Sequence, residues 1–201
     1  MRLPDSTLAD HPWVITQIAP DFRLLDVWAL PAEGGPADFG TFLDVMAALD
    51  PAAGQSAPSR ALFQARLRIG EVLGWDEAKD RPIPGCTETS LAARLPADLQ
   101  GSAASPVPSA LQRSGGGFLP LYRTADEWAA EISNETVHAV LHVAWVPLSG
   151  DRYGPQLRVF VKARGRFGSL YLKAIEPFRL LVVYPALMRQ VELAWEASRP
   201  D

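Results

Sequence analysis

Two histidines four residues apart are the side chains whose type and spacing first suggest chemistry. On a helix, His138 and His142 would lie one turn apart and could share a metal ion. The residues around them alternate between apolar and polar, which indicates a strand, and on a strand they lie about 13 Å apart at roughly 3.3 Å per residue. Two ligands of one zinc ion each need a bond of about 2 Å. We therefore place both histidines on a solvated sheet face and predict no metal site.

A lone cysteine is the second candidate. Cys86 lies in the segment PGCTET, with no neighbouring histidine to activate it and no second cysteine for a disulfide. The sequence contains no Gly-x-Ser-x-Gly or His-Glu-x-x-His motif. Gly34, Gly35 and Gly40 do not form a dinucleotide fingerprint, and no P-loop spacing occurs. The catalytic residues stay unknown, and no cofactor is predicted.

Arginines are the third candidate group. Arg123, Arg158 and Arg179 have the chemistry to bind a carboxylate or a phosphate. The chain has 16 arginines and only three lysines, together with many Ala, Pro and Gly residues, which is typical of a GC-rich, bacterial genome. We therefore interpret the three arginines as surface residues.

Composition limits the class of protein and its partners. With 201 residues and 48% hydrophobic residues, we expect one domain spanning 1–201, with a flexible loop at about 96–117. The net charge of −4, with both signs interspersed, argues against nucleic acid. The longest apolar stretch, Leu180–Met188, is far shorter than the roughly 20 residues that span a membrane. No signal-peptide pattern precedes it, so we expect a cytoplasmic protein.

Periodicity predicts the elements that position these side chains. A strand at Asp21–Leu30 precedes a short helix from Phe39 to Leu49 and a second helix from Ser59 to Leu73. Ser90–Leu95 suggests a helical turn. The predicted strands of the last third are Phe118–Arg123, Glu127–Ile132, Thr136–Val146 and Gln156–Ala163.

Alternation also assigns the two faces of this sheet. The apolar, buried face is predicted to carry Trp128, Ala130, Ile132, Val137, Ala139, Leu141, Val143, Trp145, Leu157, Val159 and Val161. The opposite face, predicted to be solvated, carries Glu127, Glu131, His138, His142, Arg158 and Lys162. One dry and one wet face are typical of an antiparallel sheet packed on a single layer.

A long C-terminal helix is predicted to cover the dry face. We expect it to begin at Glu176-Pro177, because proline is tolerated in a first helical turn. The segment Leu170–Ile175 before it is predicted as a short strand or turn. Pro185 should bend the helix, because proline removes a backbone hydrogen bond and crowds the preceding turn.

Two stretches, ARLRIGEVLGW (65–75) and GSLYLKAIEPFRLLVVYPALMRQ (168–190), follow an early DFRLLDVWALP strand. In this order they resemble the DUF2867 family of uncharacterised, mostly bacterial proteins, grouped with the START-like, or Bet v 1-like, helix-grip superfamily. The chain departs from the family in having Arg179 where a histidine is usual, and Ser169 where an arginine is usual. The resemblance implies an α+β fold: a curved antiparallel sheet around a long C-terminal helix, with two short helices inserted after the first strand.

A helix-grip fold often leaves an apolar cavity between its sheet and its last helix. We predict that a hydrophobic small molecule binds there, between the side chains of Trp128, Trp145, Tyr171, Phe178, Tyr184, Met188 and Trp195. Tyr171 and Tyr184 would orient it through their hydroxyl groups. One alternative is a cyclase-, dehydratase- or hydrolase-like enzyme that uses a Tyr, His or Arg in the same cavity. Another is an interaction module for a separate epimerase-like oxidoreductase, or a homodimer.

Overall fold

An antiparallel sheet forms the centre of the protein in this computed structural model, which describes residues 1–4, 11–49, 90–100, 118–133 and 136–199. The predicted helix at 59–73, Cys86 and most of the loop at 96–117 lie outside the described residues. In the described part, five strands pair in the order β1-β5-β4-β3-β2. Their bounds are β1 Arg23–Ala29, β2 Leu119–Arg123, β3 Glu127–Ser133, β4 Val137–Pro147 and β5 Tyr153–Ala163.

The two longest strands hold the sheet together. β4 and β5 pair without a register shift from Val137 opposite Ala163 to Pro147 opposite Tyr153. The edge strands are less regular, since β1 and β2 each shift register once. All five predicted strands are confirmed. Alternation predicted β3, β4 and β5, because it follows directly from the two-residue period of a strand.

Short helices flank the sheet. α1 spans Val14–Ile18, α2 spans Phe39–Ala48, and a 3₁₀ helix spans Leu91–Arg94. The Ser90 hydroxyl accepts a hydrogen bond from the Ala92 amide at 3.0 Å, so the predicted turn at 90–95 is confirmed as a capped 3₁₀ turn.

The C-terminal helix begins earlier than predicted. α3 spans Gly165–Phe178, so the segment 170–175 is helical and the predicted start at Glu176 is wrong. Gly165 has a φ of +63°, which redirects the chain after β5, and Tyr171 and Leu172 then bury one side of the helix. Pro177 lies inside α3 and not at its start.

A π-helical segment separates α3 from the last helix. It spans Arg179–Val183, and α4 follows at Tyr184–Ala197 with Pro185 in its first turn. Pro185 has no N–H to donate to the carbonyl four residues back. A π-helical turn, which is wider than an α-helical turn, is common where such a hydrogen bond is missing. A π-helical segment thus precedes Pro185, and the bend of the helix at this residue stays a prediction.

Both faces of the sheet are covered. On the face that we call the C-helix face, Trp128, Val143 and Leu157 pack with residues of α2 and α4. On the opposite face, which we call the α1 face, α1 and the 3₁₀ helix form a second hydrophobic cluster with the sheet. The prediction of one solvated face is therefore wrong.

Candidate functional site

Two glutamate–histidine pairs lie buried on the α1 face. Glu127 and Glu131 on β3 contact His142 and His138 on β4, respectively. Each glutamate stands opposite an apolar residue and reaches diagonally to the histidine two positions further. The four residues expose between 0% and 4% of their surface, so their predicted place on a solvated face is wrong.

Glu127 is the centre of the first pair. Its Oε1 accepts a hydrogen bond from the Val14 amide of α1 at 2.9 Å. Its Oε2 lies 2.9 Å from the Tyr122 hydroxyl and 2.8 Å from Nε2 of His142. One carboxylate therefore joins β2, β3, β4 and the start of α1.

Glu131 repeats this arrangement four residues along the same strand. Its Oε2 lies 2.7 Å from Nε2 of His138 and accepts from the Leu91 amide at 3.0 Å. The Ser90 hydroxyl donates to Oε1. The second pair thus anchors the 3₁₀ helix as the first pair anchors α1.

A buried arginine completes the first cluster. Arg158 pairs across the strands with His142 and exposes only 1% of its surface. Its guanidinium carbon lies 4.6 Å from the ring centre of Trp13, and its Nη2 donates to Gln156 at 2.8 Å. Its Nε and Nη1 have no partner in the described part of the chain. Its prediction as a surface residue is therefore wrong.

Burial and pairing decide the protonation states. Burial lowers the pKa of His142, and Glu127 only partly offsets this. Burial alone would raise the pKa of Glu127, but the hydrogen bonds that it accepts from His142, the Val14 amide and Tyr122 outweigh burial and lower the pKa. Burial lowers the pKa of Arg158 to about 10, so this group stays cationic at neutral pH. Glu127 is thus ionised, and a neutral His142 donates from Nε2, leaving a basic Nδ1.

These states predict that the fold loses stability in mild acid. The unfolded chain takes up a proton at His142 near pH 6.5, whereas the fold resists protonation, so stability present above about pH 6.5 is lost as the pH falls. Glu127 acts in the same direction, but only below about pH 4.5. Urea unfolding between about pH 7 and 5 should therefore report mainly on His142.

A His142→Gln variant separates this contribution, because it keeps an amide donor for Glu127 but does not titrate. We expect its free energy of unfolding to change less over this range than that of the wild type. His11→Gln is the control, since the His11 side chain is 50% exposed. Equal slopes for the wild type and His142→Gln would contradict the assignment.

A sequence signal for these pairs did exist. The two glutamates are four residues apart, the two histidines are four residues apart, and the predicted hairpin at 133–135 lies between them. An antiparallel hairpin folds such equal spacings onto each other. Alternation along the strands predicts that all four side chains lie on one face. A carboxylate hydrogen-bonded to an imidazole can be buried, so the pairing of the two residue types is the signal that this face is covered.

A separate polar network lies on the C-helix face. Asp26 of β1, whose side chain is fully buried, accepts at Oδ2 from Arg179 Nε at 2.7 Å and from the Tyr184 hydroxyl at 2.9 Å. Arg2 lies 3.5 Å from Oδ1. Burial, reinforced by the charge of Asp26, raises the pKa of Tyr184, so this hydroxyl stays a donor. Arg179, predicted as a surface residue, instead ties the π-helical segment to β1.

Next to this network is a cleft between the sheet and α3, which we call the α3 cleft. It has a volume of about 510 Å³. Its apolar lining comes from β1, β5 and α3, through Leu25, Val161, Ala163 and Leu172. Its polar lining consists of Asp21, Arg23, Lys162, Ser169, Lys173, Glu176 and Arg179. This volume lies within the roughly 300–1,000 Å³ that is usual for small-molecule sites.

The predicted cavity residues lie in several places. Trp128, Trp145, Tyr184 and Trp195 are buried in the core of the C-helix face, and Met188 packs against it half-buried. Tyr171 belongs to a smaller cluster with Val161 and Leu172 beside the α3 cleft, and Phe178 is half-buried at the end of α3. Trp195 also lines a second groove, of about 740 Å³, at the far end of the helix. That these residues line a ligand cavity stays a prediction.

The aromatic core of the C-helix face is closely packed. The ring centre of Trp145 lies 5.7 Å from that of Phe42 and 6.3 Å from that of Trp195. Trp28 stacks on Tyr184 at 4.5 Å. A ligand among these rings would have to part them, whereas the α3 cleft is open as it stands.

An antiparallel sheet packed on a long C-terminal helix defines an α+β protein with a helix-grip-like arrangement. The family model for DUF2867, described as a protein of unknown function, matches residues 18–186, and the chain belongs to this family. No curated protein and no solved structure shows significant similarity to it.

None of the described helices combines the length and the apolar character needed to cross a membrane. Within the described ranges, no three His, Cys, Asp or Glu side chains are grouped as a metal site would require.

Proposed function

We propose that the protein binds a small molecule with an apolar body in the α3 cleft. The proposal rests on the open space of about 510 Å³ between β1, β5 and α3. Leu25, Val161 and Leu172 give this space an apolar lining, and apolar surface drives the binding of most small ligands. The α3 cleft is lined by the sheet and the C-terminal helix, the two elements between which a hydrophobic ligand is predicted, but by none of the seven residues predicted to contact it.

Tyr171 connects this proposal with the predicted lining residues. It is buried beside Leu172 and Val161, in contact with the cluster that borders the cleft. The other predicted residues lie further along the C-helix face, so they would contact a ligand only if it extended into the aromatic core. The cleft alone is sufficient for a ligand of modest size.

Filling the cleft tests the proposal. Ser169 is exposed and lines the cleft, so we expect Ser169→Trp to place an indole in the ligand's space. The probe is N-phenyl-1-naphthylamine, a neutral dye that fluoresces in apolar sites. We expect saturable binding to the wild type and a loss of affinity of about tenfold or more in Ser169→Trp, because the lost apolar contact area is large.

Ala174→Trp is the matched control, because Ala174 is exposed on the same helix but does not line the cleft. Its affinity for the dye should stay within about twofold of the wild type. Wild-type affinity in Ser169→Trp would refute the cleft as the site. Native mass spectrometry of freshly purified protein is a second measurement. A copurified ligand should be lost from Ser169→Trp and retained in Ala174→Trp.

A further inference from the structure

We infer that the ligand of the α3 cleft carries an anionic head group, a carboxylate or a phosphate, and that Arg179 binds it. This inference rests on the proposed function, since it names the class of ligand for the same cleft. Three features of the described residues support it: the charge of the lining, the fixed position of Arg179, and its unused donor.

The lining is cationic in an otherwise acidic chain. Four cationic side chains, Arg23, Lys162, Lys173 and Arg179, line the cleft with only two carboxylates, whereas the chain has a net charge of −4. A cleft whose lining carries an excess of one sign of charge attracts ligands of the opposite sign.

One of the two carboxylates is already neutralised. Asp21 binds Arg94 and Lys162, each at 2.6 Å. The hydrogen bond from Arg94 is the main reason why the pKa of Asp21 lies far below its usual range, so Asp21 stays charged and paired. Neither Arg23 nor Lys173 forms an ion pair with another described residue, which leaves both available to a ligand.

Arg179 is held in place before any ligand arrives. Its Nε donates to Asp26, and the side chain is 12% exposed. Asp26 in turn is fixed by the Tyr184 hydroxyl and lies near Arg2, so two cations face this one carboxylate. The local charge therefore stays positive, and Asp26 does not cancel the attraction of Arg179 for an anion.

Arg179 lines the cleft, and its guanidinium keeps an unused donor, Nη1. It is buried and has no hydrogen-bond partner in the part of the chain that the structure describes. An unpaired buried N–H group is unfavourable, and a carboxylate or phosphate oxygen is the strongest acceptor for a guanidinium. An amphipathic anion would place its head at Arg179 and its chain on Leu25, Val161 and Leu172.

Probes of equal chain length test the inference. Octanoate, octyl phosphate, 1-octanol and octylamine are each titrated against the bound naphthylamine dye. We expect at least one of the two anions to displace the dye at a concentration about tenfold lower than the alcohol or the amine. The better of the two anions identifies the head group.

Arg179→Met removes the guanidinium but keeps an unbranched chain of similar length. We expect it to lose the preference for the anion by about tenfold while 1-octanol binds within about threefold of its wild-type affinity. Arg189→Met, in the following helix α4, is the control, because Arg189 is exposed and does not line the cleft. It should keep the preference.

Arg179→Met leaves Asp26 with fewer partners and could fail to fold. Lys173→Met is the second variant, since Lys173 is exposed and forms no described ion pair. We expect it to weaken anion binding by about threefold.

The possible failures are distinguishable. If 1-octanol or octylamine displaces the dye as well as the anions do, the anionic head group is refuted and the proposed function stands. If inorganic phosphate alone competes as well as octyl phosphate, the apolar body of the proposed function is refuted. If the dye does not bind to the wild type and none of the octyl compounds raises its melting temperature, both are refuted.

Discussion

Replacing Glu127 with leucine lowers the free energy of unfolding by about 3–5 kcal/mol, the usual cost of leaving a buried charge uncompensated. The carboxylate accepts from Val14, Tyr122 and His142, and all three donors lose their acceptor in the variant. The positive charge of Arg158, which is 1% exposed, would also lose the negative charge that offsets its burial most. Equilibrium unfolding in urea, followed by circular dichroism, measures the change.

Two variants control this experiment. Glu127→Gln keeps one oxygen acceptor and removes the charge. Its free energy of unfolding should therefore lie between that of the wild type and that of Glu127→Leu. Glu192→Leu changes an exposed glutamate of α4 and should shift stability by no more than about 0.5 kcal/mol. A loss below about 1 kcal/mol in Glu127→Leu would contradict a dry, paired cluster.

The strands were predictable, but their environment was not. Alternation placed β3, β4 and β5 within a few residues of their true ends, because it depends only on strand geometry. The face carrying Glu127 and His142 was predicted to be solvated because charged residues are seldom buried alone. Here each glutamate is buried with a histidine, and α1 and the 3₁₀ helix cover them. Such a cover depends on tertiary contacts that a local pattern does not contain.

The start of the C-terminal helix was missed for a local reason. Pro177 matched the rule for a first helical turn, although the chain turns earlier, at Gly165. The helix tolerates Pro177 one residue from the end of α3, and the π-helical segment Arg179–Val183 follows it directly. A proline near a helix end thus admits two interpretations, and only the packing of Tyr171 and Leu172 decides between them.

The residues of the α3 cleft illustrate what spacing cannot show. Arg23 is far in sequence from Lys173 and Arg179, and the three belong to no motif, yet β1 and the C-terminal helix bring them to one cleft. The sequence identifies Arg179 as a residue that could bind an anion. Because the chain is rich in arginine, its residue type alone predicts only a surface position. Its hydrogen bond to the buried carboxylate of Asp26 fixes its position beside the cleft, and that bond joins residues 153 positions apart.

Gly168→Ala should destabilise the protein by about 3 kcal/mol, at the upper end of the usual cost of overpacking. A Cβ at this position would lie 2.1 Å from the carbonyl oxygen of Thr136. That oxygen is backbone, and it accepts a hydrogen bond from the Arg164 amide at 2.8 Å, so it cannot simply move away. The helix must instead move away from the backbone at the start of β4. Thermal and urea unfolding measure the loss.

Gly165→Ala is the matched control for this variant. A Cβ there meets nothing within 4 Å, and the φ of +63° alone should cost about 1 kcal/mol. A Gly168→Ala variant no less stable than Gly165→Ala would show that α3 does not pack so closely on β4. Because α3 carries Ser169 and Leu172 to the cleft, lifting it should also weaken binding of the naphthylamine dye. Stability and affinity for the dye are therefore expected to fall together in Gly168→Ala. Glu127→Leu changes the other face of the sheet. It should lower stability but leave the affinity of the remaining folded protein unchanged.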